Sequence, residues 1–292
     1  MNFEKWLKQN TKSLAGKTVA VSGATGGIGV ELCDFLAGLG AELICLDRNK
    51  EKSTKLISSL KSKHPNLSVK HITVDLENFD MVVSATNQLK CLNIDYLVLN
   101  AGAYKIPRYK CSTGYDNVFQ INFISPYYLA RELAPQITNR AGKIVAVSSI
   151  AHNYSMIDVS DIDFSSRTAS SLVYGNAKRF LTLSLFAHFK ESNILSIVHP
   201  GITLTNITAH YPKLIFKIIK HPMKIIFMSP KKAALSIIYG LFNATNTGEW
   251  IGPRIFNIWG LPRKSKLKTF TCSELNKAYV ISQEIFIKLP KN

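Results

Sequence analysis

The stretch Lys17-Thr-Val-Ala-Val-Ser-Gly-Ala-Thr-Gly-Gly-Ile-Gly29 decides the fold of this chain. Its first half is a run of β-branched and small apolar residues, the composition of a strand buried on both faces. Its second half is rich in glycine and leads directly into Ile28, Leu32, Phe35, Leu36 and Leu39, spaced as one face of a helix. A buried strand, a tight turn and an amphipathic helix are the opening unit of a parallel α/β sheet. Glycines at such a turn let the backbone approach a pyrophosphate, which then rests on the N–H groups and dipole of the following helix. The spacing admits two readings. Gly23, Gly27 and Gly29 fit G-x-x-x-G-x-G, whereas Gly23, Gly26 and Gly29 fit G-x-x-G-x-x-G, with Thr25 and Ile28 inside the turn in either case.

The same alternation continues along the chain. Residues 42–46, 69–74, 95–99, 143–148 and 194–199 read as further buried strands, separated by helical lengths. Such spacing requires right-handed βαβ crossovers, which predicts a doubly wound Rossmann-type α/β fold with a parallel sheet and helices on both faces. No repeat, low-complexity tract or linker divides the chain. One domain over residues 16–292 is expected, preceded by an N-terminal extension, residues 1–15, that has no assigned role.

Composition narrows the class. The 292 residues are 46% hydrophobic and 19% charged, the balance of a globular protein with a substantial core. No apolar run reaches the roughly 18 residues of a membrane-spanning helix, and the N-terminus lacks the apolar region of a secretory signal. The five cysteines are odd in number, scattered and without C-x-x-C, which suits reduced thiols in a cytoplasmic setting. The seven histidines show no i, i+3 or i+4 pair, so no zinc site is expected, and there is no G-x-S-x-G elbow.

Asp47 closes the second strand, 18 residues after Gly29. An acidic side chain at that position accepts from a ribose 2′-OH and repels a 2′-phosphate, so NAD is expected over NADP. Arg48 is the competing signal, because a guanidinium there grips the phosphate instead.

Further on come Leu99-Asn-Ala-Gly102 and Ser148-Ser149 at strand ends, Asn122 in a helical stretch, and Tyr174-Gly-Asn-Ala-Lys178. Open parallel sheets bind ligands at the carboxyl ends of their strands. Tyr174 and Lys178, four apart, share one helix face. An ammonium beside a phenol favours tyrosinate and brings proton exchange toward neutral pH.

Taken in order, the glycine turn at 23–29, Asp75-Leu76, Asn100-Ala101-Gly102, Asn122, Ser149, Tyr174-x-x-x-Lys178, and Pro200-Gly201 followed by Thr205 resemble the classical short-chain dehydrogenase/reductase family. The resemblance runs from Lys17 to about Leu261. It favours the G-x-x-x-G-x-G reading and implies an NAD(P)-dependent oxidoreductase. In it, Tyr174 would be the general acid or base, and Lys178 would hold the nicotinamide ribose and lower the Tyr174 pKa. Ser149 rather than Ser148 would bond the substrate oxygen, since the family's serine is the second of such a pair. Asn122 would anchor a water that links Lys178 to solvent. Asp75 would contact adenine, Asn100 would steady the central strand, and Thr205 would bind the carboxamide.

The 25-residue gap from Ser149 to Tyr174, the segment Val147-Ser-Ser-Ile-Ala-His152 and Gly248 to Pro262, read as a closing strand and loop, resemble the retinol-dehydrogenase-like and protochlorophyllide-reductase-like branch. That branch implies a lipophilic alcohol or carbonyl substrate. Two departures are Ala177, where the family usually has Ser, and the acidic Asp47. A substrate lid is expected over about 203–230. Lys213, Lys217, Lys220 and Lys224 recur at helical spacing among apolar residues, which makes 211–232 a candidate surface for anionic membrane. The +17 charge invites phosphate, but no nucleic-acid-binding motif accompanies it, so no specific nucleic acid is expected. The family's habit of pairing helices implies a homodimer or homotetramer through Phe119 to Leu133 and Tyr174 to Phe189. The reading from a different class is a catalytically silent, nucleotide-binding scaffold or membrane-surface regulator.

Overall fold

The computed structural model describes residues 3–190, 192–203 and 228–290, apart from the side chain of Phe3. One eight-stranded sheet runs through them in the order β3-β2-β1-β4-β5-β6-β7-β8. The strands are β1 (Thr18–Ser22), β2 (Glu42–Asp47), β3 (Val69–Thr73), β4 (Tyr96–Leu99), β5 (Lys143–Val147), β6 (Leu195–Val198), β7 (Glu249–Ile255) and β8 (Trp259–Lys266). The first seven are mutually parallel, as expected. The segment read as a closing strand and loop is instead a hairpin, and β8 runs antiparallel to β7. Phe256 and Asn257 lie between the two strands with φ of 51° and 59°, the left-handed values a tight reversal uses.

Alternate residues of each strand face opposite layers. Ala20, Ile44, Leu46, Leu97, Leu99, Ile144, Ala146 and Ile197 belong to one core. Val19, Val21, Leu43, Cys45, Val98, Val145, Val147 and Val198 belong to the other. Helices α2 (Gly27–Gly38), α3 (Lys50–Lys63) and α8 (Pro230–Phe242) cover the second layer. The first is covered by α4 (Phe79–Lys90), α6 (Ser125–Asn139), α7 (Ser170–His188) and α9 (Cys272–Lys288). A short turn α5 (Asn117–Phe119) and a π-helical stretch, Gln120–Ile124, lead into α6.

Local caps explain the helix starts. Asn49 accepts from Lys52 N at 2.8 Å to open α3, and Asn78 accepts from Met81 N at 3.1 Å to open α4. Thr271 accepts from Glu274 N at 3.2 Å to open α9. The N-terminal extension is not idle. Its helix α1 (Phe3–Asn10) buries Trp6 to 4% exposure, with the indole 5.9 Å from the Tyr239 ring of α8.

Helix α7 is buried on all sides from Gly175 to Phe186, since α9 packs over the face the core leaves. Arg131 of α6 donates to Gln283 of α9 at 2.7 Å, and its guanidinium lies 3.8 Å from the Phe286 ring centre. The helix faces assigned from sequence to self-association are therefore occupied by the chain's own C-terminal helix.

Candidate active site

The carboxyl ends of β1, β4, β5 and β6 converge on a cleft made of two adjoining cavities of about 490 and 480 Å³. Gly23, Gly26, Ala101 and Gly102 line both. The glycines are sterically required. Gly23 has φ +65°, and a Cβ there would stand 2.9 Å from the Ala101 Cα. A Cβ on Gly29 would stand 2.1 Å from the Gly23 carbonyl oxygen. Gly26 is the N-cap of α2 and, with Gly27 and Ile28, lines the cleft, so both glycine spacings read in the sequence contribute.

The loop is tied to its neighbour strand by two residues. Asn100 Nδ2 donates to the carbonyls of Ser22 and Gly23 at 3.0 and 3.1 Å. Ser22 Oγ accepts from the amides of Asn100 and Ala101, each at 3.0 Å. Ser22 was not singled out in the sequence, where it reads only as the end of a strand.

Asp47 lines the second cavity together with Arg48 and faces Thr25 of the glycine loop. It stands at the end of β2, and Oδ1 accepts from Thr25 Oγ1 at 2.8 Å and Thr25 N at 3.2 Å. Its Oδ2 is buried with no hydrogen-bond partner. Burial pushes the Asp47 carboxyl above its ordinary pKa, with the Thr25 hydrogen bonds opposing part of the rise. Arg48, by contrast, is 67% exposed and lies 3.9 Å from both Asp75 and Glu77. Asp75 and Leu76 line the same cavity, as expected, and Asp75 Oδ1 also accepts from Glu77 N at 3.0 Å.

The reacting end gathers four of the expected residues. Ser149 lines the cleft beside Tyr174 and opposes part of the rise in its pKa, while Ser148 turns away and bonds Thr182 Oγ1 at 2.8 Å. Lys178 Nζ donates to the Val147 carbonyl at 2.8 Å and lies 5.8 Å from the Tyr174 ring centre. Asn122 sits in the π-helical stretch and is fully buried. Its Nδ2 donates to Ala103 O and Val118 O, each at 2.8 Å, and its Oδ1 accepts from Ala103 N at 3.3 Å. Its side chain thus clamps the strand-end backbone next to Lys178. A Cβ on Gly102 would meet Asn122 Oδ1 at 2.8 Å and Lys178 Nζ at 3.5 Å.

The electrostatics differ from expectation. Burial raises the Tyr174 phenol to about 12 and lowers Lys178 to about 7. Burial is the largest influence on both groups, and the Lys178 Nζ is engaged with the Val147 carbonyl.

Tyr104, Ile150, Ala151 and Tyr154 form an apolar wall that the sequence reading missed. The Tyr104 ring lies edge-on, 5.4 Å from that of Tyr174. Ile150 and Ala151 fall in the segment 147–152 quoted for the branch resemblance, but no motif marks Tyr104 or Tyr154; all four are brought in by the loops after β4 and β5. Pro200 and Gly201 line the cleft from the other side, with Gly201 at φ +83°. Thr205 lies outside the described residues, as do most of the lid (203–230) and of the lysine-rich segment (211–232).

These residues fit a nicotinamide dinucleotide. A glycine-rich loop lies against the N-terminus of a 12-residue helix, and a buried ammonium stands at the far end of the same cleft. Among the described residues no group of side chains could hold a metal ion, and no helix is long and apolar enough to cross a membrane.

Comparison with known proteins agrees with this architecture. The sequence profile of the short chain dehydrogenase family matches residues 17–213. An oxidoreductase of Schizosaccharomyces pombe is 27% identical over 257 residues, 82% of this chain and 76% of that protein. Human polyprenol dehydrogenase is 24% identical over 249 residues, 80% of this chain and 70% of that protein. A solved protein of Mycobacterium paratuberculosis superposes with a TM-score of 0.74 at 21% identity, covering 96% of each chain. A 3-oxoacyl (acyl-carrier-protein) reductase from Agrobacterium tumefaciens, solved with NADP bound, superposes with a TM-score of 0.61 at 18% identity, covering 83% of this chain and 92% of that one. The chain is a member of the short-chain dehydrogenase/reductase family and an NAD(P)-dependent oxidoreductase.

Proposed function

We propose that this oxidoreductase interconverts an alcohol and a carbonyl on a lipophilic small molecule, with Tyr174 as the group that gives or takes the proton. The observation that carries the reading is the convergence of Ser149, Tyr174 and Lys178 on one cleft with the glycine loop, Lys178 lying one helical turn after Tyr174 on α7. A bound nicotinamide supplies the hydride. Ser149 orients the substrate oxygen, Tyr174 protonates it in reduction, and Lys178 binds the ribose. An ammonium released from the Val147 carbonyl would then favour the tyrosinate.

The apolar wall of Tyr104, Ile150, Ala151 and Tyr154 supports an apolar substrate. The likeness to human polyprenol dehydrogenase, whose name describes a lipid alcohol, points the same way. For the cofactor, the engaged Asp47 and exposed Arg48 favour NADP over the NAD preference read from Asp47 alone. The test is turnover of medium-chain and aromatic aldehydes and ketones with NADPH and NADH. The expected result is NADPH-dependent reduction that Tyr174→Phe abolishes. A cofactor-induced rise in unfolding temperature with no turnover across the panel would favour the silent scaffold instead.

A further inference from the structure

Arg179 follows Lys178 on α7, points away from the cleft and is 3% exposed. A guanidinium carries five N–H donors, and burial requires each to find an acceptor. All five do. Nε donates to Glu274 Oε1 at 2.9 Å, and Nη2 donates to Glu274 Oε2 and to Thr269 O, the latter at 2.8 Å. Nη1 donates to Thr269 Oγ1 and to His152 O, each at 3.0 Å. The acceptors come from three places: the start of α9, the segment before it, and the 3₁₀ turn after β5 (Ile150–Tyr154).

That turn begins at Ser149, which caps it by accepting from Ala151 N at 3.2 Å. His152 reaches back inside it, its Nδ1 lying 2.6 Å from the Ser149 carbonyl oxygen. A carbonyl only accepts, so Nδ1 carries the proton. Burial and the Arg179 charge push His152 down to about 4, so the ring is neutral at working pH. Glu274 Oε1 also accepts from Ile157 N at 3.3 Å, and Thr269 Oγ1 donates to Asn153 Oδ1 at 3.0 Å. From the other side, Gly175 of α7 approaches so closely that a Cβ would stand 2.5 Å from Ala151 O. The turn is held between α7 and the C-terminal segment, and its N-cap, Ser149, lines the cleft beside Tyr174.

We propose that Glu274, Arg179 and His152 form a positioning relay that holds Ser149 against Tyr174, making the C-terminal segment part of the active-site build. The relay rests on the reading of Ser149 and Tyr174 given above. None of its three members touches the reacting atoms.

Arg179→Lys keeps the charge but replaces a planar five-donor fork by three donors. Glu274→Gln keeps the shape and removes the negative partner. His152→Asn keeps a donor near the Nδ1 position, whereas His152→Phe removes it. With decanal and NADPH, Arg179→Lys, Glu274→Gln and His152→Phe are expected to lower kcat about tenfold or more through misplacement of Ser149. NADPH affinity should stay unchanged and His152→Asn should restore most of the rate. In a Ser149→Ala background the same changes should cost nothing further, because residues that act through one group are not additive. Hydrogen exchange read by mass spectrometry should rise in peptides covering 149–157 and stay low in those covering 96–99. Full activity in Arg179→Lys and Glu274→Gln, costs that add to Ser149→Ala, or unchanged exchange at 149–157 would overturn the relay even where Tyr174→Phe is inactive. If the wild type turns over no carbonyl, the functional reading fails, and the exchange measurement still decides whether the relay holds the turn.

Discussion

Lys178 Nζ donates to the Val147 carbonyl at 2.8 Å while standing 5.8 Å from the centre of the Tyr174 ring. The ammonium is thus tied to the last residue of β5, the strand that leads into Ser148 and Ser149. Tyr174, at about 12, stays a phenol in the unliganded cleft, and Lys178, at about 7, sits near the edge of losing its charge.

Tyr174→Phe should lower carbonyl turnover about 10²–10⁴-fold, the usual worth of a positioned proton donor. Cofactor binding should survive, visible as a stabilisation of about 2.7 kcal/mol at a cofactor concentration near 100 times its Kd. Steady-state kinetics and thermal unfolding on the same preparation check both halves.

The buried Lys178 makes stability depend on pH. Its folded pKa of about 7 lies below the unfolded value near 10.5, so between these values the unfolded state binds the extra proton and stability rises with pH. Below about 7 both states are protonated and the cost of burying the charge is felt in full. Relative to Lys178→Met, the wild type should gain stability as pH goes from 7 to 10, by up to about 1.4 kcal/mol per unit. Urea unfolding of both proteins at three pH values measures the slope, and a difference that is flat with pH would contradict it.

Arg48→Ala should weaken NADPH binding by about tenfold or more, the order expected for a charge-assisted contact to phosphate, and leave NADH nearly untouched. Titration of each cofactor against intrinsic fluorescence reads the ratio. A larger loss for NADH would return the cofactor reading to Asp47.

Gly29→Ala puts a methyl group 2.1 Å from the Gly23 carbonyl oxygen and 2.8 Å from the Ala24 carbonyl oxygen. Backbone cannot yield as a side-chain tip can, so the loop must open. The variant should lose roughly 1–3 kcal/mol of stability and most of its dinucleotide affinity. Thermal unfolding with and without NADPH separates the two losses.

Removing α9 uncovers the faces of α6 and α7 that Leu275, Ala278, Ile281, Ile285 and Phe286 now bury. A chain ending at Thr271 should self-associate or aggregate, because an apolar surface of that size seeks cover. Phe286→Asp should do so more weakly. Size-exclusion chromatography with light scattering compares both with the full chain.

Much of this molecule could be read from local pattern. Strands β1 to β6 fell within a residue of their expected bounds, because a buried parallel strand needs an uninterrupted run of apolar residues and that run is visible in the chain. The glycine turn was legible for a similar reason: only glycine satisfies the steric demands at Gly23 and Gly29. Tyr174 and Lys178 share a face of α7 because helical periodicity is itself a local property.

What pattern could not reach depends on contacts between distant segments. That Asp47 shares one of its oxygens with Thr25, 22 residues away in sequence, follows only from how the loop folds over β2. Nothing in the local pattern around Arg179 points to its partners, because Thr269 and Glu274 lie 90 and 95 residues further on. The apolar faces of α6 and α7 called for a cover, and sequence alone could not say whether that cover was a second chain or α9. Local pattern fixes which face of each element must be buried, because period and composition belong to the element. Which surface buries it, and where each polar group then finds its partner, is set by how the elements pack together, and that is a property of the whole fold.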